Sequence, residues 1–312
     1  MSYPGGFGPP PGGPNAGQPQ PPVCYRHGDR PTGLSCNRCG RPACPECLRE
    51  AAVGYQCVDC VRAGQQSQRP VRTAAGARVH AGFTPYVTYA LIAVNVVVFA
   101  VTAIQAQSVW ENDRGSSLFN SWALYPPAVA NGDYVRLIGS GFLHFGPVHL
   151  LVNMFALWIV GRDVELVLGR WRYLGVYVVS ILGASAAVMV LQTNAVTAGA
   201  SGGIFGLFGA LAIILVRLRQ SPGPVLVVIA INVIISVSLP GISIWGHLGG
   251  LVAGTLASVG ALFVPVWLAH GRGLSGSVTR AIGWGSIVAI GVLCAVVIAV
   301  RIEQLRTQVP LV

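Results

Sequence analysis

Residues 173–216 contain no Asp, Glu, Lys or Arg, and neither do residues 220–271. No other feature constrains the fold as strongly. Crossing about 30 Å of hydrocarbon takes roughly 20 helical residues, so each stretch holds two membrane helices. Each also breaks midway, at Gln192-Thr193-Asn194 and at Leu239-Pro240-Gly241. The expected spans lie near 84–105, 148–168, 172–192, 201–217, 224–240, 244–265 and 281–301, which makes seven. The connection from 106 to 147 is too polar to span. Composition agrees, with 53% of residues apolar and 10% charged, where a soluble domain carries about 25% charged. The expected fold class is an all-α polytopic membrane protein.

Charge placement gives an orientation. The short loops expected inside carry Arg170 and Arg172, Arg217 and Arg219, and Arg272 and Arg280. The outer loops near 195 and 241 carry no Arg, which fits the positive-inside rule. No secretory signal opens the chain, since residues 1–22 are Gly, Pro and Gln without an apolar centre. The amino end is thus expected in the cytoplasm and the carboxy end outside. The net charge of +10 does not point to nucleic acid, because the Arg residues are scattered among loops rather than gathered on one face.

Five segments follow. Residues 1–22 form a disordered Gly/Pro-rich tail, too polar to offset its ordering entropy. Residues 23–62 form a cysteine module, 63–82 a linker, 83–270 a membrane core, and 271–312 an added helix and tail.

The module reads Cys24-x2-His27, Cys36-x2-Cys39, Cys44-x2-Cys47 and Cys57-x2-Cys60. Eight thiol and imidazole donors in four close pairs are enough for two tetrahedral Zn²⁺ sites. The short gap between the second and third pairs suggests interleaving, with the first and third pairs on one ion and the second and fourth on the other. All protein positions are filled, which marks structural rather than catalytic metal. Such a module would bind a cytoplasmic partner protein or regulate the membrane core.

Counting helices from an inside amino end places the starts of the second, fourth and sixth spans at the outer face. There lie His149 and Asn153, then Ser201, then His247. Polar side chains inside a bilayer are costly and face a protein interior or a wet cavity, and four at one depth call for a single explanation. Ser201, in Gly199-Ala200-Ser201-Gly202-Gly203, opens a helix whose free N–H groups suit an oxyanion. His247, in Gly246-His247-Leu248-Gly249-Gly250, is a base for the serine proton. Gly250 and Gly254 share its helix face, so the sixth span would approach the fourth closely. With no intramembrane Asp or Glu to serve as a third member, the expected arrangement is a dyad. His149 and Asn153, four apart on one face, would complete an oxyanion hole with the Ser201 backbone N–H.

These residues resemble the rhomboid family of intramembrane serine proteases. The resemblance spans about 84–265 and rests on Gly199-Ala200-Ser201-Gly202, on His144 through His149 to Asn153 and Met154, and on Gly246-His247-Leu248-Gly249-Gly250 with Gly254. It implies a six-helix core, here with one extra carboxy-terminal helix, and no metal for the chemistry. It also implies substrates that are single-span membrane proteins, cut near the outer end of their helix. Two positions depart from the family pattern: Val135-Arg136 stands for a Trp-Arg pair, and Phe205 for a Tyr stacked on the imidazole. Glu165 matches a family glutamate with a structural role. The cysteine module resembles a B-box-type zinc finger, although Cys57 and Cys60 stand where that type closes with His. The alternatives are a catalytically inactive relative that binds membrane clients and a transporter using the polar layer as an ion path.

Overall fold

The computed structural model describes residues 21–67, 73, 83–239, 241–269 and 275–308. The expected disordered tail up to residue 20 and most of the linker lie outside them. The chain divides into two compact units, Met1–Pro70 and Val71–Val312.

The first unit is built around its cysteines. An antiparallel ribbon, β1 (Leu48–Glu50) with β2 (Tyr55–Cys57), sets Leu48 opposite Cys57 and leads into α1 (Val58–Ser67). Its core is Cys24, Cys36, Ala43, Cys44, Cys47, Leu48 and Cys57, mostly ligand-type side chains. So small an apolar cluster supplies little burial energy, the situation in which bound metal carries much of the folding free energy.

The second unit is helical. Its helices are α2 (Tyr86–Ala106), α3 (Ser117–Trp122), α4 (Pro126–Ala130), α5 (Arg136–Gly139), α6 (Gly146–Leu168), α7 (Arg170–Leu191), α8 (Ser201–Arg217), α9 (Gly223–Ser238), α10 (Ile244–Leu262), α11 (Val264–Ala269) and α12 (Gly276–Gln308). Helices occupy all seven expected span positions. Four stretches are long and apolar enough to cross a membrane by themselves: α2, α7, α10 with its α11 continuation, and α12. Helix α6 passes that test together with the short Arg136–Phe142 segment, to which it is bent by 90°. The protein is a multi-pass membrane protein. Exposed Val, Leu and Ile on α2, α6, α9 and α12 face what would be lipid.

Helices α8 and α9, with 17 and 16 residues, are shorter than the other helices at the seven span positions. Helix α8 starts only at Ser201, because the preceding segment is spent on an extended connection. In that segment Thr197 pairs with Leu124, and Gly199 N donates to the Ser140 carbonyl at 2.9 Å. Gly199 has φ +142°, a conformation open mainly to glycine.

Helices α7, α8 and α10 meet over small residues. A Cβ on Gly250 would collide with the Gly202 carbonyl, one on Gly254 with Gly206 Cα, and one on Gly249 with the Gly183 carbonyl. Without side chains between them the backbones approach closely. Beside this seam lie the buried Tyr173, Tyr177 and Met189 of α7 and Leu207 and Ile214 of α8.

At the far end, the fully buried Glu165 carboxylate accepts from Val87 N at 3.1 Å and from Thr88 N and Oγ1, both at 2.8 Å. It caps the first turn of α2, whose amide groups lack intrahelical acceptors. This is the structural part expected of Glu165.

The polar connection 106–147 is a folded layer rather than an open loop. Arg136 Nη1 donates to the carbonyls of Asn120 and Ala123, both at 2.7 Å, and its guanidinium pairs with Asp133 at 3.1 Å. Arg136 thus anchors the layer with Val135 beside it. Helix α12 adds a second anchor. At 1.5 Å per residue it is about 50 Å long, more than a bilayer core needs, and its end reaches this layer. There Arg306 Nε donates to the Ala130 carbonyl at 2.7 Å and Nη2 to Tyr134 Oη at 3.1 Å.

Candidate active site and metal clusters

Ser201 is the first residue of α8, and its N-cap, Ala200, offers no side-chain acceptor. The first amide N–H groups of the helix, that of Ser201 included, are therefore free of intrahelical bonds. His247 sits in the first turn of α10, where Ser243 Oγ caps Gly246 N at 3.1 Å. The glycine seam brings the two helix starts together. His247 Nε2 lies 2.8 Å from Ser201 Oγ, within proton-transfer reach. Phe205, one turn along α8, stacks on the imidazole with centroids 4.2 Å apart and planes 12° apart.

His149 lies close by. Phe145 N donates to its Nδ1 at 3.2 Å, so in the neutral ring the proton sits on Nε2. A Cβ built on Gly199 would stand 3.1 Å from that Nε2 and 3.4 Å from Ser201 Oγ. A donor N–H and the serine hydroxyl thus border one small space, kept open because residue 199 is glycine. Asn153 is buried one turn further along α6, and its Nδ2 donates to the His149 carbonyl at 2.8 Å. Among the described contacts it reaches neither Ser201 nor His247; it steadies the turn that carries His149.

One neighbour was missed by sequence reasoning. Ser236 Oγ, on α9, lies 2.7 Å from His247 Nδ1. A third member is ordinarily a carboxylate, and a serine in an apolar helix resembles a packing residue. The available signal was its place near the end of the fifth span, two residues before Ser238 closes α9, at the depth helix counting gives the other polar groups.

In the first unit, the ligand atoms of Cys24, His27, Cys44 and Cys47 lie within 4.8 Å of one another, as do those of Cys36, Cys39, Cys57 and Cys60. The pairs interleave, first with third and second with fourth. His27 Nδ1 stands 3.8, 3.4 and 3.5 Å from the sulfurs of Cys24, Cys44 and Cys47, and Cys39 Sγ stands 3.8 Å from Cys57 Sγ. A tetrahedral ion with bonds near 2.3 Å to sulfur and 2.0–2.1 Å to nitrogen requires edges of about 3.5–3.8 Å. Both donor sets fit a metal ion. Burial opposes ionisation of Cys24, yet the backbone N–H groups of Cys44, Arg26 and His27 outweigh it and bring the thiol down to about 6. Cys36 falls to about 6 likewise: burial opposes, and the N–H groups of Cys57, Cys39 and Arg38 prevail. Thiolate is the metal-binding form.

A multi-pass helical protein holding a serine and a histidine in contact at two adjoining helix starts is a narrow class, and the relatives specify it further. The Rhomboid domain family profile matches residues 131–263. Rhomboid protease GluP of Bacillus subtilis (strain 168) is 32% identical over 219 residues, covering 69% of this chain and 41% of GluP. YdcA of the same organism, also named for the rhomboid proteases, is 31% identical over 182 residues, covering 56% of this chain and 87% of YdcA. Rhomboid protease AarA of Providencia stuartii is 25% identical over 230 residues, covering 64% of this chain and 80% of AarA. The chain belongs to the rhomboid family, and it spans about two fifths of the length of GluP.

Proposed function

We propose that this protein is an intramembrane serine endopeptidase that cuts single-span membrane proteins near the outer end of their transmembrane helix. The observation that carries the reading is the 2.8 Å approach of His247 Nε2 to Ser201 Oγ at the mouths of two packed helices. Ser201 Oγ attacks the scissile carbonyl carbon while its proton passes to His247 Nε2. The resulting oxyanion is held by the Ser201 backbone N–H and the Nε2–H of His149, with Asn153 keeping the His149 turn in place. Collapse of the intermediate breaks the C–N bond, and the leaving amine takes the proton from Nε2. Water then hydrolyses the acyl-enzyme by the same route in reverse.

In this reading residues 83–270 are the protease core and 271–312 an added helix with its tail. The amino end lies in the cytoplasm and the carboxy end outside, which puts Ser201 and His247 just under the outer surface. The two metal clusters hold structural Zn²⁺, and the module they fold presents a surface to a cytoplasmic protein partner. The test is reconstitution of the full chain into vesicles with a model single-span substrate. Wild type is expected to release the outer fragment and Ser201→Ala to release none. Equal cleavage by both, or no cleavage of any of a panel of substrates with helix-destabilising residues, would overturn the reading.

A further inference from the structure

The second nitrogen of the His247 imidazole, Nδ1, has its own partner, and the single proton of a hydroxyl fixes the direction of that bond. Ser236 Oγ lies 2.6 Å from the carbonyl of Asn232, one turn back on α9, and 2.7 Å from His247 Nδ1. A hydroxyl carries a single proton. With that proton given to the Asn232 carbonyl, Ser236 Oγ meets His247 as an acceptor, and Nδ1 carries the hydrogen. The neutral ring then has a bare lone pair on Nε2, the atom 2.8 Å from Ser201 Oγ. The chain of donors therefore runs from Ser201 Oγ–H to Nε2, and from Nδ1–H through Ser236 to the Asn232 carbonyl.

We propose that Ser236 is a positioning residue for the base: its hydroxyl holds His247 in the Nδ1–H tautomer and so keeps Nε2 free to take the Ser201 proton. The proposal rests on the serine-protease reading and adds a member from a third helix. The ring nitrogens of a histidine are distinguished by the bond the other one makes, and a carboxylate is not required for that. As Nε2 takes up the proton, the acceptor at Nδ1 also stabilises the imidazolium.

The surroundings of Ser236 make the role specific. It is the buried residue of α9, only 4% exposed, while Val228, Ile231, Ile234, Ile235 and Val237 of the same helix lie open. Helix α9 thus reaches the interior at the point where it meets the histidine.

The experiment uses the full-length protein in vesicles or detergent, with Ser236→Ala, Ser236→Cys and Ser236→Thr. Cysteine fills the same space but is a poor acceptor; threonine keeps the hydroxyl and its bond to the preceding turn. Losing one neutral hydrogen bond at the base is expected to lower kcat about tenfold in the alanine and cysteine variants, with KM nearly unchanged. Threonine is expected to restore kcat. Imidazole ¹⁵N shifts of His247 are expected to report Nδ1–H in wild type and in Ser236→Thr, and a gain of the Nε2–H form in the other two. An unchanged tautomer in Ser236→Ala, or a loss of kcat that threonine does not restore, would overturn the proposal. The spectrum needs no substrate, so wild-type protein that never cleaves would sink the protease reading and still leave the tautomer to decide this one.

Discussion

Replacing Gly250 with alanine adds one methyl group at the place where α10 rests on the Gly202 carbonyl in the first turn of α8. A carbon and a carbonyl oxygen need about 3.3 Å between them, and the added Cβ would come far closer. The obstacle is backbone, so no side chain can swing aside and the helices must part by about 1 Å. That movement falls at the residue next to Ser201 and one turn from His247. Stretching their 2.8 Å contact by such an amount removes the hydrogen bond, and misplacement on this scale costs about 100-fold in rate. The same overpacking costs about 1–3 kcal/mol in stability. The assay pairs peptide-bond cleavage with thermal unfolding, since a variant still folded at the assay temperature separates lost geometry from lost protein. Gly285→Ala on α12 is the control, because a Cβ there meets nothing within 4 Å and alanine favours a helix by about 1 kcal/mol. Gly250→Ala with wild-type kcat would refute the argument that the glycine seam sets the distance between the two groups.

Other perturbations test separate parts. Glu165→Ala leaves Val87 N and Thr88 N without their acceptor, while Thr88 Oγ1 keeps Tyr173 Oη at 3.2 Å; a loss of about 3 kcal/mol in unfolding free energy is expected, and a loss under about 1 kcal/mol would contradict the capping role. Metal analysis of the purified chain is expected to find two zinc ions, and Cys36→Ser to lower the content to about one while the cluster of Cys24, His27, Cys44 and Cys47 stays loaded. Loss of both ions, or of neither, would speak against two separate sites. Arg306→Ala is expected to speed amide hydrogen exchange in α4 and residues 131–135 while leaving α8 unchanged, and no change in either would show that α12 does not brace the layer of α3, α4 and α5.

The membrane part was legible because water and hydrocarbon sort residues so sharply. Stretches without charge, interrupted at Asn194 and Gly241, fixed where the helices lie, and arginine in the loops suggested which way they run. Ser201, His149 and His247 stood out because a polar side chain inside a bilayer is costly and helix counting assigns them one depth. The interleaving of the cysteine pairs was readable from loop length alone.

What stayed hidden depends on contacts between segments that sequence spacing does not reveal. The layer of α3, α4 and α5 is assembled from helices too short for a periodic pattern, held by Arg136 on bare carbonyls. The overshoot of α12 and its arginine contact with Ala130 follow from helix length and direction. The contact of Ser236 with His247 depends only on which side of α9 turns inward, which an apolar helix does not reveal. It is also the residue that turns an expected pair of groups into a chain of three.

The central claim is that the imidazole of His247 makes the Ser201 hydroxyl nucleophilic. It is tested most directly by a fluorophosphonate probe on the reconstituted full-length protein, with the modified residue located by mass spectrometry. The adduct is expected on Ser201 in wild type, and the labelling rate is expected to fall by at least about 100-fold in His247→Ala. Labelling of folded His247→Ala at the wild-type rate, or an adduct on another residue, would contradict the account.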